Sequence, residues 1–375
     1  LLVVLITSFN YFKTTNTYID DSVNNQTKIT KGISMNLEQT AGAGDYKTVT
    51  RSSWPTEGYK FNTELSRCEN GGEINWDDIN KKVIVTGNVS DKCYVYFDIW
   101  IPSIAAYCTS GTDLATCVKN FGDQGPSVSN IYIHNSTLTN GAGDNSYRYA
   151  GANPNNYVCF GSEATTCPDA NLFRIIGVFG DQAKVIRAKS VGDQPWHTSQ
   201  VNNWSSSSLN TYLNGTYLTS LGTLAEKIAT TTWKVGGGDE ANISFSVPAT
   251  AYQYEVGSSA STTTVDKKIG LMYVSDYYYG ASPSAWKLVG YNSSDATKDY
   301  RAATSTNWLY LGSTEWTISR NSGYTYLAFL VNSAGYVYYS GYVPVSLAVR
   351  PSFNLLSSVK YISGSGSMSD LVRIN

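Results

Sequence analysis

Chemistry at a protein site needs a nucleophile with a base in reach, a pair of carboxylates, or a metal. The chain holds two histidines. His134 stands beside Asn135, and His197 follows Pro195 and Trp196. Neither belongs to a Ser/His/Asp arrangement, and both read as surface histidines. The carboxylates Asp239, Asp276 and Glu315 are scattered singly, so nothing in the sequence pairs them; Glu315, directly before Trp316, reads as a structural hydrogen-bond acceptor. The runs GDNS at 143–146 and GGGDE at 236–240 offer the acidic and amide oxygens that calcium takes, and each is equally a plain turn. Beyond that candidate calcium no cofactor is expected. Arg320 and Arg350 end apolar stretches and are expected to pin irregular loops by donating to carbonyls, with anion contact to a ligand as the alternative. Tyr277, Tyr278 and Tyr279 are candidates for a carbohydrate-stacking or interface platform, because successive strand residues face opposite ways and a row of three does not fit a strand core.

Six cysteines form three pairs by nearness in sequence: Cys68 with Cys93, Cys108 with Cys117, and Cys159 with Cys167. No C-x-x-C occurs, and neither histidine lies at a zinc-like spacing from a cysteine pair. Disulfides are therefore expected, each stabilising by about 2–4 kcal/mol, with buried free thiols as the alternative. They place the protein outside the cytoplasm.

The elements that must position these residues follow from periodicity. The chain opens on LLVVLI, which fades through Phe9, Tyr11 and Phe12 into Lys13. Residues 1–12 read as the end of an N-terminal membrane or signal-anchor helix, too short to span alone because about 20 residues are needed. The alternatives are a buried strand and a pilin-type core helix, the latter opposed by Asn10, Lys13, Asn16, Asp20 and Asp21, which break the apolar stripe. Residues 13–53 read as a polar stalk and first strands. Over 54–100, EINWDDINKKVIVTG and CYVYFDIW alternate as strands, with Cys68 and Cys93 flanking the hairpin, so a disulfide-stapled β-module is expected. Residues 101–140, rich in Gly, Pro and Asn, read as a connector with a local disulfide loop. In 141–375, RIIGVFG and KVIRAKSVG form a hairpin signal, and WSSSSLNTYLNGTYLTSL places Leu209, Leu213, Tyr217 and Leu221 at helical spacing behind serine caps. A second helix is expected over 223–231. KIGLMYVSDYYYGA reads as a strand through Met272 and then a loop. Short apolar strands, WLYLG, WTISR, AFLV, YVYY and AVRPSF, fill the last hundred residues. The class is α+β with an irregular, β-rich C-terminal half.

Composition narrows the function. The 375 residues carry 27 Lys+Arg against 29 Asp+Glu and no basic run, so the electrostatic footprint of a nucleic-acid binder is absent. The length suggests two or three domains. With 29 Tyr, 32 Gly and only 15% charged residues, the chain has the make-up of secreted β-proteins and recognition surfaces.

Several of these segments together carry a resemblance. YRYAG-x-NPNNYVCFGS at 147–162, RIIGVFG, WSSSSLNTYLNGTYL, IGLMYVSDYYYGA, EWTISR at 315–320, AFLVNSAGYV and VRPSFNL at 349–355 occur in order, with the gaps of a domain of unknown function found in surface and secreted proteins of Gram-positive gut bacteria. That domain is related to the formylglycine-generating-enzyme type of C-type lectin fold, and the resemblance covers about 141–375. The SRCENGGEINWDDINKKVIVTGNVSDKCYVYF segment is similar to a disulfide-stapled β-module that often precedes it. The same fold serves as the variable protein of diversity-generating retroelements, where a fixed scaffold carries varied surface positions near the C-terminus. The resemblance implies scaffold roles for Trp316, Arg320, Phe329 and Arg350. It implies ligand-binding positions at Asn321, Tyr324, Tyr326, Tyr336, Tyr338, Tyr339 and Tyr342, a Tyr, Ser and Asn mixture that suits binding loops. Tyr277 and Tyr278 join them as candidate contacts. Formylglycine-generating enzymes need a reactive cysteine pair late in the fold, whereas the last cysteine here is Cys167. No enzymatic activity is therefore expected. The expected function is an extracellular, cell-surface adhesin or receptor-like protein that binds a protein or glycan on another surface. The alternative is a pilin-like filament subunit, whose N-terminal segment enters a fibre core instead of a membrane.

Overall fold

Within EINWDDINKKVIVTG the two alternating stretches pair as strands, Glu73–Asp77 antiparallel to Lys82–Thr86. The computed structural model describes residues 3–6, 32–40, 42–49, 58–77, 82–86, 91–100 and 102–375. These fall into two units, Leu1–Pro102 and Ser103–Asn375.

In the first unit, Val3–Ile6 extends the hairpin by pairing antiparallel with Lys82–Thr86. The helix expected over 1–12 is thus a strand over these four residues, and the rest of that segment, with the stalk through residue 31, lies outside the described residues. β-branched Val3, Val4 and Ile6 suit a pleated strand, and the open edge of Lys82–Thr86 offers the hydrogen bonds. Among the described residues no helix is long and apolar enough to cross a membrane. A second sheet has Cys93–Ile99 at its centre, parallel to Ile33–Glu38 and antiparallel to Tyr59–Phe61 and Arg67–Cys68. Its alternation buries Val95 and Phe97 and leaves Tyr94, Tyr96 and Asp98 half-exposed. Met35, Leu37, Val83, Val95 and Phe97 form one core, with Trp76 edge-on to Phe97 at 5.0 Å. The two sheets therefore share a core as a small sandwich, and it includes strands upstream of residue 54, Val3–Ile6 and Ile33–Glu38 among them. The Cys68–Cys93 disulfide joins directly paired residues of neighbouring strands.

The second unit begins at Ser103, not near residue 140. The stretch 103–140 carries the Gly, Pro and Asn of a connector, but it also carries a core helix. Leu114–Gly122 buries Leu114, Cys117, Val118 and Phe121, and the Leu114 N–H donates to the Val359 carbonyl. Ile131–Ile133 then pairs with Tyr147–Tyr149. The Cys108–Cys117 bridge ties the loop before this helix to the helix itself.

A nine-stranded sheet forms the main layer, centred on Leu172–Phe179 and Gln182–Arg187. Its hairpin carries a bulge between Ile175 and Gly177. Gly177 is required there, because a Cβ would stand 2.2 Å from the Tyr147 carbonyl oxygen. The C-terminal strand Val372–Ile374 pairs parallel with Tyr157–Phe160. The helical segment runs from Ser208 to Ser220 with one wider turn at Leu213–Tyr217; Ser207 caps it by accepting from the Asn210 N–H at 3.0 Å. Leu209, Leu213 and Tyr217 are buried as their spacing predicts. The second helix is a 3-10 turn over Gly222–Lys227, and residues from Thr231 form a strand. WLYLG is not a strand, although Trp308 and Leu309 are buried.

The largest departure is at 268–281. After the short strand Ile269–Gly270 the chain turns into the helix Val274–Gly280. Two carboxylates start it: Asp276 accepts from the Tyr273 N–H, and Glu255 accepts from the N–H groups of Val274 and Ser275, all at 2.8 Å. Three free N–H donors of the first turn are thereby satisfied. The Glu255 contribution comes from the helix Pro248–Glu255, which no local pattern at 268–281 encodes.

Candidate functional site

A second, five-stranded sheet carries the tyrosine-rich tract, with strand order 193–195, 346–348, 315–320, 327–331 and 337–342. Val337–Tyr342 is its edge strand. The loop between Glu315–Arg320 and Leu327–Val331 is fixed from below by Asn202, whose amide donates to the carbonyls of Asn321, Tyr324 and Leu327 at 2.8, 2.6 and 2.6 Å. Asn321 is itself buried. Its amide donates to the Tyr339 carbonyl at 3.0 Å and its oxygen accepts from the Gly323 N–H at 2.9 Å. The ligand contact expected of Asn321 is thus corrected: the short amide side chain binds the loop to the edge strand.

Above this anchor Tyr324, Tyr326 and Tyr342 stand exposed, at 41%, 41% and 38%. Their rings meet edge to face, Tyr324 to Tyr326 at 6.0 Å and Tyr326 to Tyr342 at 6.3 Å. Val345 and Val201 are exposed beside them; the Val345 N–H donates to the Tyr342 carbonyl and the Asn202 N–H to the Thr325 carbonyl. Tyr336, Tyr338 and Tyr339 are half-buried and continue the face. Ala328 pairs with Gly341 and Leu330 with Tyr338, so Phe329 opposes both Tyr339 and Ser340 in a bulge. That extra residue re-aims the strand, and consecutive tyrosines at 338 and 339 both reach the surface.

Two residues missed in the sequence complete the face. Tyr291 stacks against Tyr336 at 4.8 Å and Phe245 meets Tyr339 at 5.2 Å. Both are clamped to the outer edge of the strand: the Val337 N–H donates to Gly290, its carbonyl accepts from the Ser244 hydroxyl, and the Tyr291 N–H donates to the Ser244 carbonyl. No periodicity or motif in the sequence marks either residue, because both arrive from loops distant along the chain. At the far end the Arg301 guanidinium lies 5.6 and 5.3 Å from the Tyr291 and Tyr336 ring centres and grips buried Asp299 with contacts of 2.6–3.0 Å. Partial burial pushes the Tyr336 and Tyr339 hydroxyls above their ordinary values, so both are neutral hydrogen-bonding groups at neutral pH.

Tyr277 and Tyr278 are not on this face. With Tyr279 they fill the buried helix Val274–Gly280, and their hydroxyls donate to the carbonyls of Gly335, Ile243 and Asn140. The strand argument fails because residues 100° apart on a helix surrounded by core can all be inside, provided each hydroxyl has an acceptor. His134 is also buried. Its Nδ1 accepts from the Ala142 N–H at 3.0 Å and its ring packs on Tyr279 and Trp286. Burial, reinforced by Arg148, drives its pKa down to about 2, so the ring is neutral. His197 is half-buried, with Nδ1 accepting from the Ser199 N–H.

The four residues expected to be scaffold are held by the following contacts. Trp316 and Phe329 are buried, and the Trp316 Nε1–H donates to the Gln194 carbonyl at 3.0 Å. Arg350 makes a two-pronged pair with buried Glu315 at 2.6 and 2.7 Å and donates to the Leu309 carbonyl. Half-exposed Arg320 donates to the Gly236 carbonyl at 2.8 Å. The two candidate calcium runs have other partners: Asp144 binds Arg148 and Ser146, and Asp239 caps the turn Glu240–Ile243 by accepting from the Asn242 N–H. All six cysteines are in the three expected disulfides, the third being Cys159–Cys167. Compared with protein-family models, with curated proteins and with solved structures, the chain matches none.

Proposed function

We propose that this protein is an extracellular, cell-surface binding protein, an adhesin or receptor-like molecule. In this reading its second unit is a C-type-lectin-like domain that presents the tyrosine face to a protein or glycan on another surface. One observation carries the proposal: Tyr324, Tyr326 and Tyr342 are exposed and in contact with one another above a loop immobilised by Asn202 and Asn321. Rigid, amphipathic rings on a fixed backbone bind at low entropic cost, and isolated exposed hydrophobics would not need such support. The three disulfides are compatible with an oxidising, extracellular setting.

The test is a screen of the purified chain on glycan arrays and intact cell surfaces, beside the Tyr324→Ser/Tyr326→Ser/Tyr342→Ser variant. Binding that disappears in the folded variant supports the reading. Binding that is equal in both places the ligand elsewhere. Sequencing the locus in related strains tests retroelement variation, which predicts substitutions at 324, 326, 336, 338, 339 and 342 over a constant Trp316, Phe329 and Arg350.

A further inference from the structure

Among the described residues three ion pairs have both side chains buried: Glu315 with Arg350, and Asp276 with both Arg148 and Lys184. Only Lys184 brings a primary amine. A guanidinium keeps its proton in any protein setting, whereas a desolvated amine readily loses it and becomes a nucleophile.

The surroundings of Lys184 and Asp276 are those of a reaction site closed to water. Nζ of Lys184 lies 2.5 Å from Oδ2 of Asp276. The rings of Phe179, Trp233 and Tyr273 stand 5.5, 5.4 and 4.8 Å from it. Both residues are rigidly held: Lys184 is mid-strand, paired with Gly177 and Asn354, and Asp276 is fixed in the first turn of its helix by the Tyr273 N–H. The NH1 group of Arg148 lies 3.7 Å from Oδ1. Glu255 is buried at the start of the same helix, where it accepts from two backbone N–H groups and the Ser319 hydroxyl.

We propose that Lys184 and Asp276 condense within the folded chain to an intramolecular amide bond. Nζ attacks Cγ, the Nζ–Cγ bond forms, and one Cγ–O bond of Asp276 breaks. The ammonium gives up two protons, both leaving with that oxygen as water, so ammonium plus carboxylate becomes amide plus water. Charge cancels, nothing is oxidised or reduced, and no co-reactant is needed. Holding the two groups in contact supplies the effective concentration that the reaction lacks in solution. Arg148 faces the oxygen on which negative charge develops in the tetrahedral intermediate. Burial pushes the Lys184 amine down toward its nucleophilic form. The product ties strand to helix across 92 residues and removes a buried ion pair that is costly to desolvate.

The mass of the intact folded chain decides the matter, independently of what the tyrosine face binds. The expected mass is one water below that of the disulfide-bonded sequence, with a proteolytic peptide joining Lys184 to Asp276. Lys184→Arg should restore the full mass. Asp276→Asn should give the same cross-linked product, because ammonia then leaves in place of water. A wild-type chain at full mass, or a missing water that maps to another residue, overturns the proposal.

Discussion

The helix Val274–Gly280 and the loop and edge strand over 321–342 are both rich in tyrosine, and the same side chain does opposite work in each. In the helix every hydroxyl finds a carbonyl from a distant segment, so the ring is available as core. On the sheet edge it is the backbone that is fully tied down, by Asn202 and Asn321, and the rings of Tyr324, Tyr326 and Tyr342 are left in water. In these two regions burial of the ring goes with an acceptor at its tip, and composition alone does not distinguish the two.

Substitution should separate the two regions sharply. Breaking the Glu315–Arg350 pair beneath the sheet by Arg350→Ala should cost about 3–5 kcal/mol, because Glu315 is left charged and buried. Tyr278→Ala in the helix, or Trp316→Ala under the face, should cost about 3–5 kcal/mol through the cavity each leaves. Chemical denaturation measures both. If Tyr278→Ala is tolerated, the helix is not the scaffold described here.

The buried side should also respond to acid. His134 is held neutral, with its pKa lowered from 6.5 to about 2, while the unfolded chain takes up a proton near 6.5. Its contribution to stability is complete above pH 6.5 and is lost progressively as pH falls toward 2. Asp144 adds in the same direction at lower pH: burial alone would raise it, but Arg148 and Ser146 outweigh that and hold it near 2. The melting temperature should therefore fall from pH 6.5 downward, and His134→Gln should flatten the upper part of that slope. A profile unchanged by the substitution would mean that His134 is not the group responsible. Removing Cys68–Cys93 by a double Ser substitution should lower the stability of the first unit by about 2–4 kcal/mol.

The smallest effect on stability belongs to the exposed tyrosines. Tyr324→Ser, Tyr326→Ser and Tyr342→Ser should each shift stability by no more than about 0.5 kcal/mol. The same changes should weaken ligand capture by about 2 kcal/mol or more each if they are central contacts. Unfolding on these substitutions would abolish the distinction between the two regions.

Local sequence determined a good deal of this protein. Period-two alternation gave Glu73–Asp77, Lys82–Thr86 and Cys93–Ile99, the 172–187 hairpin followed from two apolar runs around a Gly-Asp turn, and the serines before Leu209 marked a helix start. Nearness in sequence sufficed for the disulfides because each pair closes a short loop. The tertiary structure decided what those signals do not contain. The carboxylate that starts the Val274–Gly280 helix arrives from Glu255, and the carbonyls that receive its tyrosine hydroxyls come from Asn140, Ile243 and Gly335. Phe245 and Tyr291 reach the tyrosine face only because Ser244 and Gly290 bond to Val337. Periodicity reports which side of an element is apolar; whether a polar tip is satisfied depends on atoms far away along the chain, and that is settled only when the chain has folded.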